Sequence, residues 1–155
     1  MTSLFTGRTA AEVVPAAAVR QLTGTTAADF RLEDQENPEV VLDEMIEAWI
    51  EETASNIRVR LGRQVDAEGI EGPGMRGVLI RTVANVIAVA MQQRSSPIIQ
   101  LGDFATNVLN TSDALAKLDV ELQPFLEYDP ADDDGDGGGR SRIDIFWSSQ
   151  KYEGA

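Results

Sequence analysis

The stretch Asn37–Arg63, NPEVVLDEMIEAWIEETASNIRVRLGR, decides how the chain folds. Its large apolar residues stand at Leu42, Ile46, Trp49, Ile50, Ile57 and Leu61, with Thr53 keeping the spacing. Steps of three and four place them on one face of a helix. Asn37 is a candidate N-cap, and Pro38 falls at the first helical position, where its missing N–H costs nothing. Glu39, Asp43 and Glu44 lie toward the positive end of the helix dipole and Arg58, Arg60 and Arg63 toward the negative end. At 1.5 Å of rise per residue such a helix is about 39 Å long, enough to cross a small domain.

Working outward, the second long helical pattern is Met75–Gln93, apolar over much of its circumference, with Leu79, Val83, Val86, Ile87 and Ala90 in one stripe. A turn-rich loop, Val65–Gly74, joins the two, so they are expected to pack antiparallel. Glu12–Leu22 reads as one short helix with Pro15 in its first turn, Val19 and Leu22 inward and Gly24 just past its end. Phe30 and Leu32, in the connection that follows, are core anchors or part of a brief extended segment. Arg94–Asn110 reads as loop with extended character near 98–101 and 105–109. Thr111–Leu122 is a third helix, with Leu115, Leu118 and Leu122 inward, closed by Pro124, Phe125 and Tyr128.

The fold expected is therefore mainly α: a small bundle on two long antiparallel helices plus shorter ones. Its parts are an extended N-terminal arm (1–11), a helical domain (12–128), a flexible Asp/Gly linker (129–139) and a tail (140–155). In the tail, Ile143, Ile145 and Trp147 alternate with Asp144 and Phe146, which is strand patterning. Beyond a linker, such a segment reads as a docking arm, with Arg140, Arg142, Ile143, Ile145, Phe146 and Trp147 as its contacts. The competing reading is an edge strand folded back on its own domain.

Composition narrows the chemistry. The chain has 155 residues, no cysteine and no histidine, so disulfides, thiolates and the commonest general base and metal ligand are all missing. Twenty-six acids against 13 bases give a net charge of −13, and the bases do not cluster. A phosphate backbone repels such a chain, which argues against sequence-specific nucleic-acid binding. Arg8 and Glu12 break any apolar leader, and Val78–Met91 contains Arg81 and is short for a bilayer, so a cytoplasmic product with no membrane contact is expected.

The motif Asp132-x-Asp134-x-Asp136-Gly137 opens like an EF-hand loop, but Ile143 stands at the twelfth position, where a bidentate Glu is needed. It reads as linker. Gly69–Gly74 lacks the Lys-Ser/Thr of a phosphate loop. Glu44, Glu47, Glu51 and Glu52 read as a solvated face, without the Glu-x-x-His of a di-iron site. No nucleophile–base pair is apparent, so no enzyme, cofactor or metal is expected.

The run Ala54–Gly62 (ASNIRVRLG), closing a long acidic helix, resembles the helix end of head–tail connector proteins of long-tailed bacteriophages, also called adaptor or head-completion proteins. The early short helix, the second helix containing Val83–Ala90 (VANVIAVA), the polar run with Pro at Gln92–Pro97 and the Leu-rich helix Ala114–Phe125 follow that family's order. The likeness covers about residues 12–128. It implies a virion neck protein, assembled in the host cytoplasm, that forms a twelve-fold ring under the portal protein. The ring would extend the DNA channel and receive a head-closure (stopper) or tail-completion protein. Within it, Glu44, Glu47 and Glu51 of one copy would meet Arg58, Arg60 or Arg63 of the next. The alternative from the residues alone is a small intracellular helical binding or regulatory module with a strand-forming tail.

Overall fold

The computed structural model describes residues 3–92 and 104–128. Within them lie six α-helices: α1 (Ala10–Val13), α2 (Ala16–Thr23), α3 (Pro38–Leu61), α4 (Gly72–Gln92), α5 (Phe104–Leu109) and α6 (Ser112–Glu127). A 3-10 turn, Ala27–Phe30, links α2 to α3. Among the described residues the β-type pairing is one parallel bridge, Phe5 to Val65. The mainly α reading therefore holds over this part of the chain.

Helix α3 is the axis of the core. Every apolar position expected to face inward is buried, together with Thr53 and Ala54. Trp49 lies at the centre, 1% exposed, with Phe30 edge-on and Phe104 tilted, both at 5.7 Å between ring centroids. Burying a large side chain of this kind stabilises by about 2–3 kcal/mol. Within this packing Trp49 Nε1 and Thr53 Oγ1 have no hydrogen-bond partner, at about 1–3 kcal/mol for each unsatisfied group. Pro38 starts the helix as expected, but Asn37 does not cap it with its side chain. Asn37 sits at φ 57, ψ 62, a left-handed conformation that Asn tolerates, and redirects the chain into the helix. At the other end Gly62, at φ 81, stops α3 two residues before the expected Arg63.

Helix α4 begins at Gly72, three residues before the expected Met75. A Cβ at Gly72 would stand 2.0 Å from the Ala67 carbonyl oxygen, so only glycine fits this tight entry. By length and composition alone α4 is long and apolar enough to span a bilayer, a test that buried core helices also pass. In this fold one face of it, from Met75 to Ala90, is buried in the core shared with α3.

Further expectations are corrected. The N-terminal residues are not a free arm from Ser3 onward: Leu4 and Phe5 are fully buried. The Thr6 N–H donates to the Val65 carbonyl at 3.0 Å, and the Val65 N–H to the Leu4 carbonyl at 2.8 Å. The single helix expected over Glu12–Leu22 is two, because Pro15 holds Val14 extended (φ −123, ψ 90) and then serves as the N-cap position of α2. Leu22 points outward and is 58% exposed. Residues 105–109 are helical in α5, not extended, and α6 continues through Pro124 to Glu127. In α6 Leu118 and Leu122 are buried, while Leu115 is half-buried. Phe30 and Leu32 are core anchors next to the 3-10 turn, not a strand.

Candidate functional site

The six charged residues expected to join neighbouring subunits divide into two sets. Three are used within the chain. Glu51 accepts a hydrogen bond from the Ala11 N–H at 2.8 Å, in the first turn of α1. Arg60 donates from Nε to Asp119 on α6 at 3.1 Å. Arg63 holds three elements together, donating to Glu71 before α4 and, at 2.8 Å, to the Phe125 carbonyl near the end of α6. A cation on the last carbonyls of a helix also complements its dipole. Glu51, Arg60 and Arg63, expected at subunit contacts, each have a partner within the chain. Glu44 and Glu47 are exposed and make no hydrogen bond or ion pair with the described residues. Arg58 is half-buried, and its Nε is out of solvent with no partner.

Glu52 is also misread as a solvated carboxylate. Its Oε1 accepts from the Thr106 backbone N–H at 2.9 Å and from Thr106 Oγ1 at 2.7 Å. Asn56, one turn further along α3, donates to Thr106 Oγ1 at 3.0 Å. Together they fasten the first turn of α5 to the middle of α3. Nothing in the local sequence at 104–109 signals this, because the acceptor is 54 positions away.

A second tie missed in the sequence is Arg20 on α2, which donates to Asp43 at 3.0 Å and also pairs with Glu39. The hydrogen bond to Asp43 raises the pKa of the Arg20 guanidinium above its ordinary value; burial opposes the rise, and Glu39 adds to it. Arg81 on α4 donates to Glu121 on α6 at 2.8 Å. Charged side chains along these helices therefore act largely as struts between elements.

Clefts open on the surface of the described residues, two of them sizeable. One, about 320 Å³, lies between α4, α5 and α6, with Val89, Phe104 and Val108 at its apolar side and Asn85, Asn107 and Thr111 as its polar groups. The other, about 390 Å³, is lined by Thr6, Gln64, Asp66, Ile70 and Tyr128 where α6 ends. Among the described residues no group of acidic side chains is arranged to hold a metal ion. The tail contacts Arg140, Arg142, Ile143, Ile145, Phe146 and Trp147, and the Asp132–Gly137 motif, lie outside the described residues.

The described residues thus define a mainly helical protein with one core, in which side chains of all six helices meet. Comparison of the chain with protein-family models, curated proteins and solved structures finds no match in any of the three.

Proposed function

We propose that this chain is a structural subunit of a bacteriophage neck, a head-to-tail adaptor that forms a twelve-fold ring beneath the portal. In this reading the protein is a bundle on two long antiparallel helices. It extends the DNA channel and links the portal to a head-closure or tail-completion protein. It works without a cofactor, a membrane or a sequence-specific nucleic-acid contact, and it catalyses no reaction.

The observation that supports this reading is the order of the helices. Short helices precede the acid-to-basic helix α3, the apolar α4 follows, and the Leu-rich α6 comes last, with Pro124 and Phe125 in its final turn. That is the order on which the resemblance rests. The −13 net charge suits a conduit wall along which DNA slides without adhering. The tail, 140–155, is proposed as the arm that reaches the portal.

Mixing the purified chain with assembled portal rings and weighing the product tests the proposal. Stoichiometric addition of the chain to the ring is expected. Removal of residues 140–155 is expected to abolish that addition and leave the helical circular dichroism unchanged. A chain that never joins a portal ring, at any concentration and with the other neck components present, overturns the adaptor reading.

A further inference from the structure

The outer face of α3 carries two acids and two valines that the fold leaves exposed. Val40, Glu44, Glu47, Glu51 and Arg58 are spaced by three, four or seven positions and share one stripe of the helix. An adjacent stripe holds Val41, Ala48, Ser55 and Val59. Helix α1 borders this face through Glu51, and α5 borders its other side through Glu52. Glu44 and Glu47 remain exposed and unpaired in its first half. Arg58 stands in its second half with a buried, unpartnered Nε. Val40 and Val59, near its two ends, are 55% and 79% exposed.

Glu51, the nearest acid on the stripe, is occupied by Ala11. Along the face the order is apolar, acidic, small, basic, apolar. Reversed and laid on itself, that order sets the acids Glu44 and Glu47 against Arg58 and the valines at one end against Val59 at the other, with Glu51 meeting itself at the centre.

We propose that this face of α3 pairs with the same face of a second copy of the chain, the two helices antiparallel about a two-fold axis near Glu51. Glu44 and Glu47 of each copy then meet Arg58 of the other, and Val59 of each meets Val40 and Val41. Ala48 and Ser55 let the backbones approach where the helices cross. Glu51 faces its own counterpart across the axis, and its hydrogen bond to Ala11 draws the carboxylate aside. Because acid and base lie on one face, a contact that joins them is isologous, whereas a ring joins two different faces of each subunit. The pairing draws on Glu44, Glu47 and Arg58, which the adaptor reading placed at ring contacts, so dimer and ring are alternative uses of this face, and the self-cross-link at position 51 tells them apart.

The test uses the full chain and measures mass by sedimentation equilibrium at low and high salt. A salt-sensitive monomer–dimer equilibrium is expected. Arg58→Glu alone, or Glu44→Arg with Glu47→Arg, is expected to weaken it about tenfold or more, and mixing the two variants to restore it. The chain has no cysteine. Glu51→Cys is therefore expected to cross-link to itself with a short bis-maleimide, while Lys117→Cys on α6 does not. Circular dichroism confirms that each variant is folded. A chain that stays monomeric at millimolar concentration overturns the proposal. So does association unaffected by the charge changes, or a ring-sized oligomer lacking the self-cross-link at position 51.

Discussion

Glu51 and Glu52 are neighbours on α3, yet they hold the first turns of two short helices built in different ways. Helix α1 has its own start signal. The Thr9 hydroxyl accepts from the Glu12 N–H, and the Glu12 carboxylate accepts from the Thr9 N–H at 2.8 Å. Glu51 adds a further acceptor, at an exposed position, to a helix that already has two of its free N–H groups satisfied. Helix α5 depends on a distant carboxylate. The Thr106 N–H in its first turn is satisfied by Glu52 in a half-buried setting, and Asn56 completes the clamp. One helix carries its cap in its own sequence; the other borrows it from α3. The difference teaches that a run of acids along a long helix is not one solvated surface, since each carboxylate is defined by what the tertiary fold brings beside it.

The comparison is open to attack at several points. The largest effect is expected from Phe104→Ala, which removes the apolar anchor of α5 against Trp49. It should destabilise by about 3–5 kcal/mol, and the α5 amides should lose hydrogen-exchange protection before those of α1. Glu52→Ala comes next. It strips a charged acceptor from two donors of Thr106, and a loss of about 2 kcal/mol in chemical denaturation is expected. Thr9→Ala, which breaks the local capping box of α1, should cost about 1 kcal/mol. Glu51→Ala should cost less than about 1 kcal/mol in the wild-type background, because its site is exposed and α1 keeps its own cap. In a Thr9→Ala background the same change should cost more, and a double-mutant cycle measures that coupling. Equal losses for Glu51→Ala and Glu52→Ala would end the distinction between the two helices.

The inward stripe of α3, from Leu42 to Leu61, was legible in the sequence, as was Gly24 just past the end of α2, whereas the stop at Gly62 came before the expected Arg63. Periodicity and glycine placement act over one or two turns, and the chain records them locally. The N-terminal segment was misjudged because a pair such as Leu4 and Phe5 has no period of its own. Its burial depends on Val65, sixty residues further along, offering a backbone edge. Pro15 was placed inside a helix because its effect on Val14 competes with good helix formers on both sides. Residues 105–109 alternate too briefly to tell strand from one and a half helical turns, and Glu52 decided the matter from outside.

The charged candidates divide the same way. Charge order along α3 could be read directly: Glu44 and Glu47 early, Arg58, Arg60 and Arg63 late. Which of these are spoken for could not, because their partners Asp119, Glu71 and the Phe125 carbonyl belong to other elements. By itself the sequence determined the helical class, the register of α3 and α4 and the acidic character, since each follows from composition or from spacings under one helical repeat. Only the tertiary structure decided where Leu4 and Phe5 go, what starts α5, and that Glu51, Arg60 and Arg63 are occupied while Glu44, Glu47 and Arg58 are not. Those outcomes depend on contacts between residues far apart in the chain, and folding in three dimensions is what brings them within hydrogen-bonding reach.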